Sequence, residues 1–345
     1  MSFPFNIYLL AFLSSSLASV ACVPVWRKWC YKTGLVDDPG HRKIHETPIA
    51  LAGGLAVMTA IVLPLAVGLA GLFVASQLDH AGPDGVLHNP IIEDLAGLNP
   101  RTVGLLGYGF NRRAGQLAAI LLGAIAMVIL GWLDDKHELS AALKFSGQFF
   151  IAALVAAAGV RITLFVQSLF FSYAITILWI LTLTNALNFM DNMNGLCAGL
   201  GAIGSWCFAW SAAVHGQYLV VLIALLASGA LLGFLPFNFP KATVFLGDAG
   251  SHLVGYLLAV LAILPHFYSK EDPNVWAVLS PLLILAVPLG DLVWVVILRW
   301  RSGRPVYIGD TNHLSHRLVS RGWSRTEAVL LIWLLGAALG ALSFL

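Results

Sequence analysis

Ten stretches of this chain are apolar for long enough to cross a bilayer, and that feature limits the fold more than any motif does. They fall near residues 5–26, 49–75, 114–133, 145–160, 164–187, 196–214, 218–236, 250–267, 275–298 and 326–345. An α-helix rises about 1.5 Å per residue, so about 20 apolar residues cover the hydrocarbon core. Of the 345 residues, 59% are hydrophobic and 10% charged, whereas soluble domains carry about 25% charged residues. A soluble fold of this length has no interior large enough for the excess. Backbone groups inside lipid must be satisfied within the chain. The expected fold is therefore all-α, a polytopic membrane protein with about ten transmembrane helices in one domain over 1–345. The fourth stretch is short, and the division between the sixth and seventh rests on His215–Gly216. The first stretch lacks a basic leader, because Arg27 is the first positive residue. It is also too long for a signal peptide, and it reads as a retained helix.

Lysine and arginine set the expected orientation. With the N-terminus outside, fourteen of the nineteen fall in inside loops and five outside. The positive-inside bias then puts both termini outside and the basic loops, including 299–325, in the cytoplasm. The 76–113 connection holds three of the outside arginines, together with Asp79, Asp84, Glu93 and Asp94. It reads as a polar external loop. A net charge of +2 argues against a nucleic-acid partner. The four cysteines have neither CxxC spacing nor a secreted framework, so neither disulfides nor a metal site is expected from them.

The unusual polar residues gather on the inside face of this topology. Asp134–Asp135 ends the third stretch. At a helix C-terminus the macrodipole disfavours two adjacent carboxylates, which repel and raise one pKa. The pair is either a solvated helix end or a group suited to proton abstraction and cation-bridged phosphate. Asn185, Asn188 and Asp191 recur at intervals of three, so they share one face at the end of the fifth stretch. Hard oxygen ligands of this kind suit magnesium. Gly247-Asp248-Ala249-Gly250-Ser251 opens the eighth helix; Asp248 is either its N-cap or a metal ligand beside a phosphate-binding helix end. His313 and His316 lie in the most basic loop. They lack a third zinc ligand, and phosphate or sugar contacts are expected. Asp291 lies inside the ninth stretch, where a carboxylate is expensive; it serves function or pairs internally with a base such as Arg299.

Together these motifs resemble the polyprenyl-phosphate N-acetylhexosamine-1-phosphate transferase family. Asp-Asp, Asn-x-x-Asn-x-x-Asp, Phe-x-Gly-Asp-x-Gly-Ser and His-x-x-His-Arg-Leu carry the likeness, from about Asp38 to about Arg317. The stretch Asp38-Pro-Gly-His-Arg-Lys43-Ile-His45 resembles the branch that initiates envelope glycans more than the peptidoglycan enzyme. The resemblance implies that Asp248 is the principal magnesium ligand, with Asn188 as a second and manganese as an alternative ion. It implies that Asp134 and Asp135 form a catalytic pair alongside Asp248. It assigns substrate contacts to Lys43, Lys144, Asn185, Asp191, Asn194, Phe245, His313, His316 and Arg317, with Phe245 stacking on uracil and Lys144 on the diphosphate. The implied reaction moves N-acetylhexosamine 1-phosphate, by default GlcNAc 1-phosphate, from a UDP-sugar to undecaprenyl phosphate. It yields UMP and opens a cell-envelope glycan pathway such as lipopolysaccharide synthesis. The peptidoglycan phospho-MurNAc-pentapeptide reaction and a cation-coupled transporter are the competing readings, and a homodimer is left open. The chain departs from the family at Asn192 and Asn194, where Asp191-Gly-x-Asp-Gly is usual, at Ser315 in place of a histidine, and at Ala50–Ala52 before Gly53–Gly54. These changes bear on sugar choice.

Overall fold

The computed structural model describes residues 5–39, 46–78, 100–163, 166, 168–265, 279–305 and 311–344. Twelve helices occur among them: α1 Phe5–Thr33, α2 Gly53–Leu78, α3 Pro100–His137, α4 Ala141–Ala157, α5 Leu169–Met190, α6 Leu196–Val214, α7 Tyr218–Asn238, α8 Gly247–Ile263, α9 Ser280–Ile284, α10 Ala286–Arg301, α11 Leu314–Ser320 and α12 Arg325–Leu342. A two-stranded antiparallel ribbon, β1 Val36–Asp37 with β2 Ile49–Ala50, joins α1 to α2. Apart from this ribbon the described residues are helices and connections, and the protein is an all-α, polytopic membrane protein.

Among the described residues, seven helical segments are long and apolar enough to cross a membrane, and two apolar helices, α4 and α8, are shorter. The expected ninth stretch, 275–298, is not one helix: it breaks at Leu285 between α9 and α10. Pro288 explains the break, because its ring lacks an N–H and crowds the carbonyl of Ile284 four residues earlier. The 76–113 connection is also not a loop throughout. Residues 76–78 end α2 and Pro100 opens α3, proline being pre-organised for the first helical turn; 79–99 lie outside the described residues. The 299–325 loop likewise contains α11.

The core is α8. Every residue from Ala249 to Ala262 is buried, and α2, α3, α5 and α6 pack around it. Lipid offers apolar side chains no advantage in burying against one another, so close backbone approach through small residues must hold such a helix. A Cβ on Gly54 would overlap the backbone of Gly250, and one on Gly131 would overlap the carbonyl of Asp248. Polar tips inside the bundle find carbonyls, as burial requires: Tyr256 Oη donates to Ile120 O at 3.0 Å and Trp179 Nε1 to Ala259 O at 3.2 Å. The ends of α3, α5 and α7 meet the starts of α4, α6, α8 and α12 at one end of the bundle. Residues 5 and 344 lie at the other end.

Candidate active site

The site begins with the contact at Gly131. That contact lays the last turn of α3 across the start of α8 and brings Asp135, four residues on, over its N-terminus. Asp135 Oδ1 accepts from the N–H of Asp248 at 2.8 Å and Oδ2 from that of Ala249 at 3.1 Å. The orphan amides of a helix start thus receive a carboxylate from another helix. Asp248 is therefore not the N-cap of α8; Leu246 holds that place, without a side-chain bond. Gly247, at φ +72°, makes the turn, and a Cβ there would stand 2.8 Å from Asp135 Oδ2.

Asp134 and Asp135 take different partners. Adjacent helical residues point about 100° apart, and Asp134 faces α4. Its Oδ1 accepts from Leu139 N at 2.9 Å, which holds the turn into α4, and its Oδ2 forms an ion pair with Lys144. Lys144 Nζ also reaches Asp248 Oδ2 at 3.0 Å. Asp248 Oδ1 accepts from Asn188 Nδ2 at 2.7 Å, and the same amide donates to Ser251 Oγ at 2.9 Å. Asp248 therefore joins α3, α4, α5 and α8, with its side chain still 31% exposed. Asn185 does not join it. Its amide donates to Gln148 Oε1 at 2.7 Å, and Gln148 continues to His252 at 3.4 Å, a polar chain inside the bundle.

A cavity of about 1060 Å³ opens at this end of the bundle. Asp135, Asn188, Asp191, Asn194, Phe245, Asp248 and His316 line it, which brings most of the expected site residues together. Burial, with Asp248 and Asp135 nearby, pushes the Asp191 carboxyl up to about 8. Crowded carboxylates of this kind are relieved by a cation. The donors on offer are oxygens: the carboxylates of Asp248 and Asp191 and the amide oxygen of Asn188. Among the described residues no three His, Cys, Asp or Glu side chains form a ready cage. The donor set fits magnesium, which takes one or two protein ligands and completes its shell with water and phosphate oxygens.

Sequence reasoning missed the basic wall of the cavity. Arg27 from α1, Lys241 and Arg325 from α12 line it. It also missed Asn238, which accepts from Gly195 N at 2.7 Å and donates to Val244 O at 2.9 Å, pinning two loops of the cavity. Phe245 is held by its backbone: its N–H donates to Ala50 O at 2.9 Å, and its carbonyl accepts from Gly53 N at 3.0 Å. A glycine pair after β2 lets the start of α2 lie this close.

The His313–Arg317 segment divides. His316 faces the cavity. His313 is buried and bonded through Nδ1 to Asp291 Oδ2 at 2.6 Å, and Leu314 N donates to Asp291 Oδ1 at 2.6 Å. Asp291 therefore caps α11 and orients His313; the Arg299 guanidinium lies 5.0 Å from the Phe189 ring. Arg317 turns away and stacks over Trp294 at 4.7 Å. Ser315 Oγ donates to Asn192 Oδ1 at 2.6 Å, so two positions that depart from the family pattern are partners. Lys43 lies outside the described residues.

Residues 117–266 match the family described as Glycosyl transferase family 4. The chain is 30% identical over 336 residues to the probable undecaprenyl-phosphate N-acetylglucosaminyl 1-phosphate transferase of Bacillus subtilis, covering 95% of this chain and 82% of that protein. It is 33% identical over 354 residues to the decaprenyl-phosphate N-acetylglucosaminephosphotransferase of Mycobacterium tuberculosis, covering 94% and 79%. The undecaprenyl-phosphate alpha-N-acetylglucosaminyl 1-phosphate transferase of Escherichia coli K12 is 25% identical over 335 residues, covering 92% and 78%.

Proposed function

The chain belongs to glycosyl transferase family 4, and on that premise we propose that it transfers N-acetylglucosamine 1-phosphate from UDP-GlcNAc to a polyprenyl phosphate, releasing UMP. An oxygen of the lipid phosphate attacks the phosphorus that bears the sugar. The bond from that phosphorus to the bridging oxygen breaks, and UMP leaves with the bridging oxygen. The lipid phosphate is already ionised, so the chain's task is to position the reactants and neutralise charge. The observation that carries this reading is the meeting of Asp248, Asn188 and Asp191 with Arg27, Lys241, Arg325 and His316 around one cavity.

Each group has a task that its position supports. Arg27, Lys241 and Arg325 offer donors to the phosphates, arginine in bidentate form. Phe245 offers a ring face to uracil and Asn194 an amide to its edge. Lys144 holds Asp248 ionised and in place. Asp248 and Asn188 would hold magnesium, which when bound neutralises charge on the diphosphate. Asp135 fixes the start of α8, so that Asp248 meets the substrate from a constant position.

The same reading puts the cavity on the cytoplasmic face of a bacterial inner membrane, with ten crossings and both termini in the periplasm. Fourteen of nineteen Lys and Arg residues support that orientation. Purified protein given UDP-GlcNAc, magnesium and undecaprenyl phosphate should form UMP, and omitting the lipid should abolish it. A parallel screen of UDP-sugars reads the donor. Asp248→Asn should lower the rate by about 100-fold or more, on the scale of other charge-stabilising groups at active sites. Undiminished UMP release by that variant would sink the assignment.

A further inference from the structure

The three helices that bring Asp135, Lys144 and Asp248 to the acidic cavity build a second cavity at their opposite ends. It has a volume of about 620 Å³ and is lined by Arg112 and Arg113 of α3, the 158–161 segment after α4, including Arg161, and Ile263–Leu264 at the end of α8. At about 1.5 Å per residue, the 23 residues from Arg112 to Asp135 separate the two cavities by about 35 Å. The second cavity therefore lies on the other membrane face, where the positive-inside bias disfavours arginine.

The arginines are held together by local contacts. Gln116 Nε2 donates to Gly159 O at 3.3 Å, tying α3 to the segment that carries Arg161. The Arg161 guanidinium lies 5.3 Å from the Tyr173 ring of α5. Its Nε is shielded from solvent and has no hydrogen-bond partner among the described residues. Helix C-termini attract cations, and α4 and α8 both end here. Two such ends supply about one negative charge in total. Arg113 and Arg161 alone exceed that, and among the described residues no carboxylate lines the cavity.

We propose that this cavity binds the phosphate of an anionic lipid headgroup in the leaflet opposite the acidic cavity. A planar guanidinium recognises phosphate with two parallel hydrogen bonds. A phosphodiester there would pair with Arg113 and with the shielded Nε of Arg161.

The test compares the full chain in nanodiscs of phosphatidylcholine with and without phosphatidylglycerol. The reading is the gain in melting temperature within each variant, so a general loss of stability cancels. Arg113→Gln/Arg161→Gln should lose more than half of the wild-type gain, and Arg113→Lys/Arg161→Lys should keep more of it. Native mass spectrometry should show one fewer retained phosphatidylglycerol in the Gln variant. If the double variant fails to fold, the two single Gln variants carry the same comparison. Inorganic phosphate added to phosphatidylcholine discs forms the second arm. A gain there and not from the lipid, lost in the Gln variant, keeps the phosphate site but assigns it to a soluble anion. A phosphatidylglycerol gain unchanged by Arg113→Gln/Arg161→Gln, or no gain from either anion, overturns the proposal.

Discussion

A carboxylate that accepts two backbone N–H groups is fixed by both of its oxygens. Asp135 is in that position, so its removal should act first through the position of α8. Asp135→Asn keeps one acceptor and loses the charge. It should cost about 1 kcal/mol, within the range for helix caps, and lower the melting temperature together with the rate of UMP release. A residue acting only as a proton acceptor would leave the melting temperature unchanged. Asp291 makes a parallel case. It receives Leu314 N and His313 Nδ1, each at 2.6 Å, and hydrogen bonds to charged groups contribute about 1.5–3 kcal/mol. Asp291→Ala should therefore raise amide hydrogen exchange across residues 313–320 while α8 stays protected. Unchanged exchange there would contradict the capping role. An isolated carboxylate in an apolar stretch marks a partner to be found, and His313, one such partner, lies 22 residues away.

At the level of elements, apolar length was readable from the sequence and helix continuity was not. The bounds expected for the sixth stretch, 196–214, coincide with α6, because turn residues flank an apolar run. The ninth failed because a proline acts four residues upstream of itself, at Ile284. The site was legible where a motif lies at a helix end, as with Asn188 and Asp248. It was illegible where side chains converge from distant segments, as with Arg27, Asn238 and Arg325. Spacing by three put Asn185 with Asn188, yet only Asn188 reaches the cavity, since one helical turn further into the bundle is enough to meet Gln148 instead. The joint between α3 and α8 carries an element-scale prediction. Gly131→Val places side-chain atoms into the backbone of α8, and overpacking of this kind costs about 1–3 kcal/mol. Thermal unfolding in detergent should show that loss together with lost UMP release. Gly68→Val, where an added Cβ meets nothing within 4 Å, should show neither.

Across the whole molecule, one end holds acids, amides and bases around a cavity, and the other holds residues 5 and 344 and three arginines. Sidedness can be read directly by labelling. Lys241 is exposed at the rim of the large cavity, and three of the four native cysteines are buried. In a Cys22→Ser background, Lys241→Cys should react with a membrane-impermeant maleimide in inverted vesicles and stay unlabelled in spheroplasts. The reverse pattern would invert the orientation. The contact of α8 with Gly54 and Gly131 has a different consequence, one for how such a chain changes over time. Where backbone meets backbone, no neighbouring side chain can be resized to absorb a mutation, so these positions tolerate glycine or nothing larger. Variation is left to the rim of the cavity, around Asn192 and Asn194. A saturation library of this chain should therefore show an intolerant seam along α8 and a permissive ring above it, where a new sugar preference has room to arise.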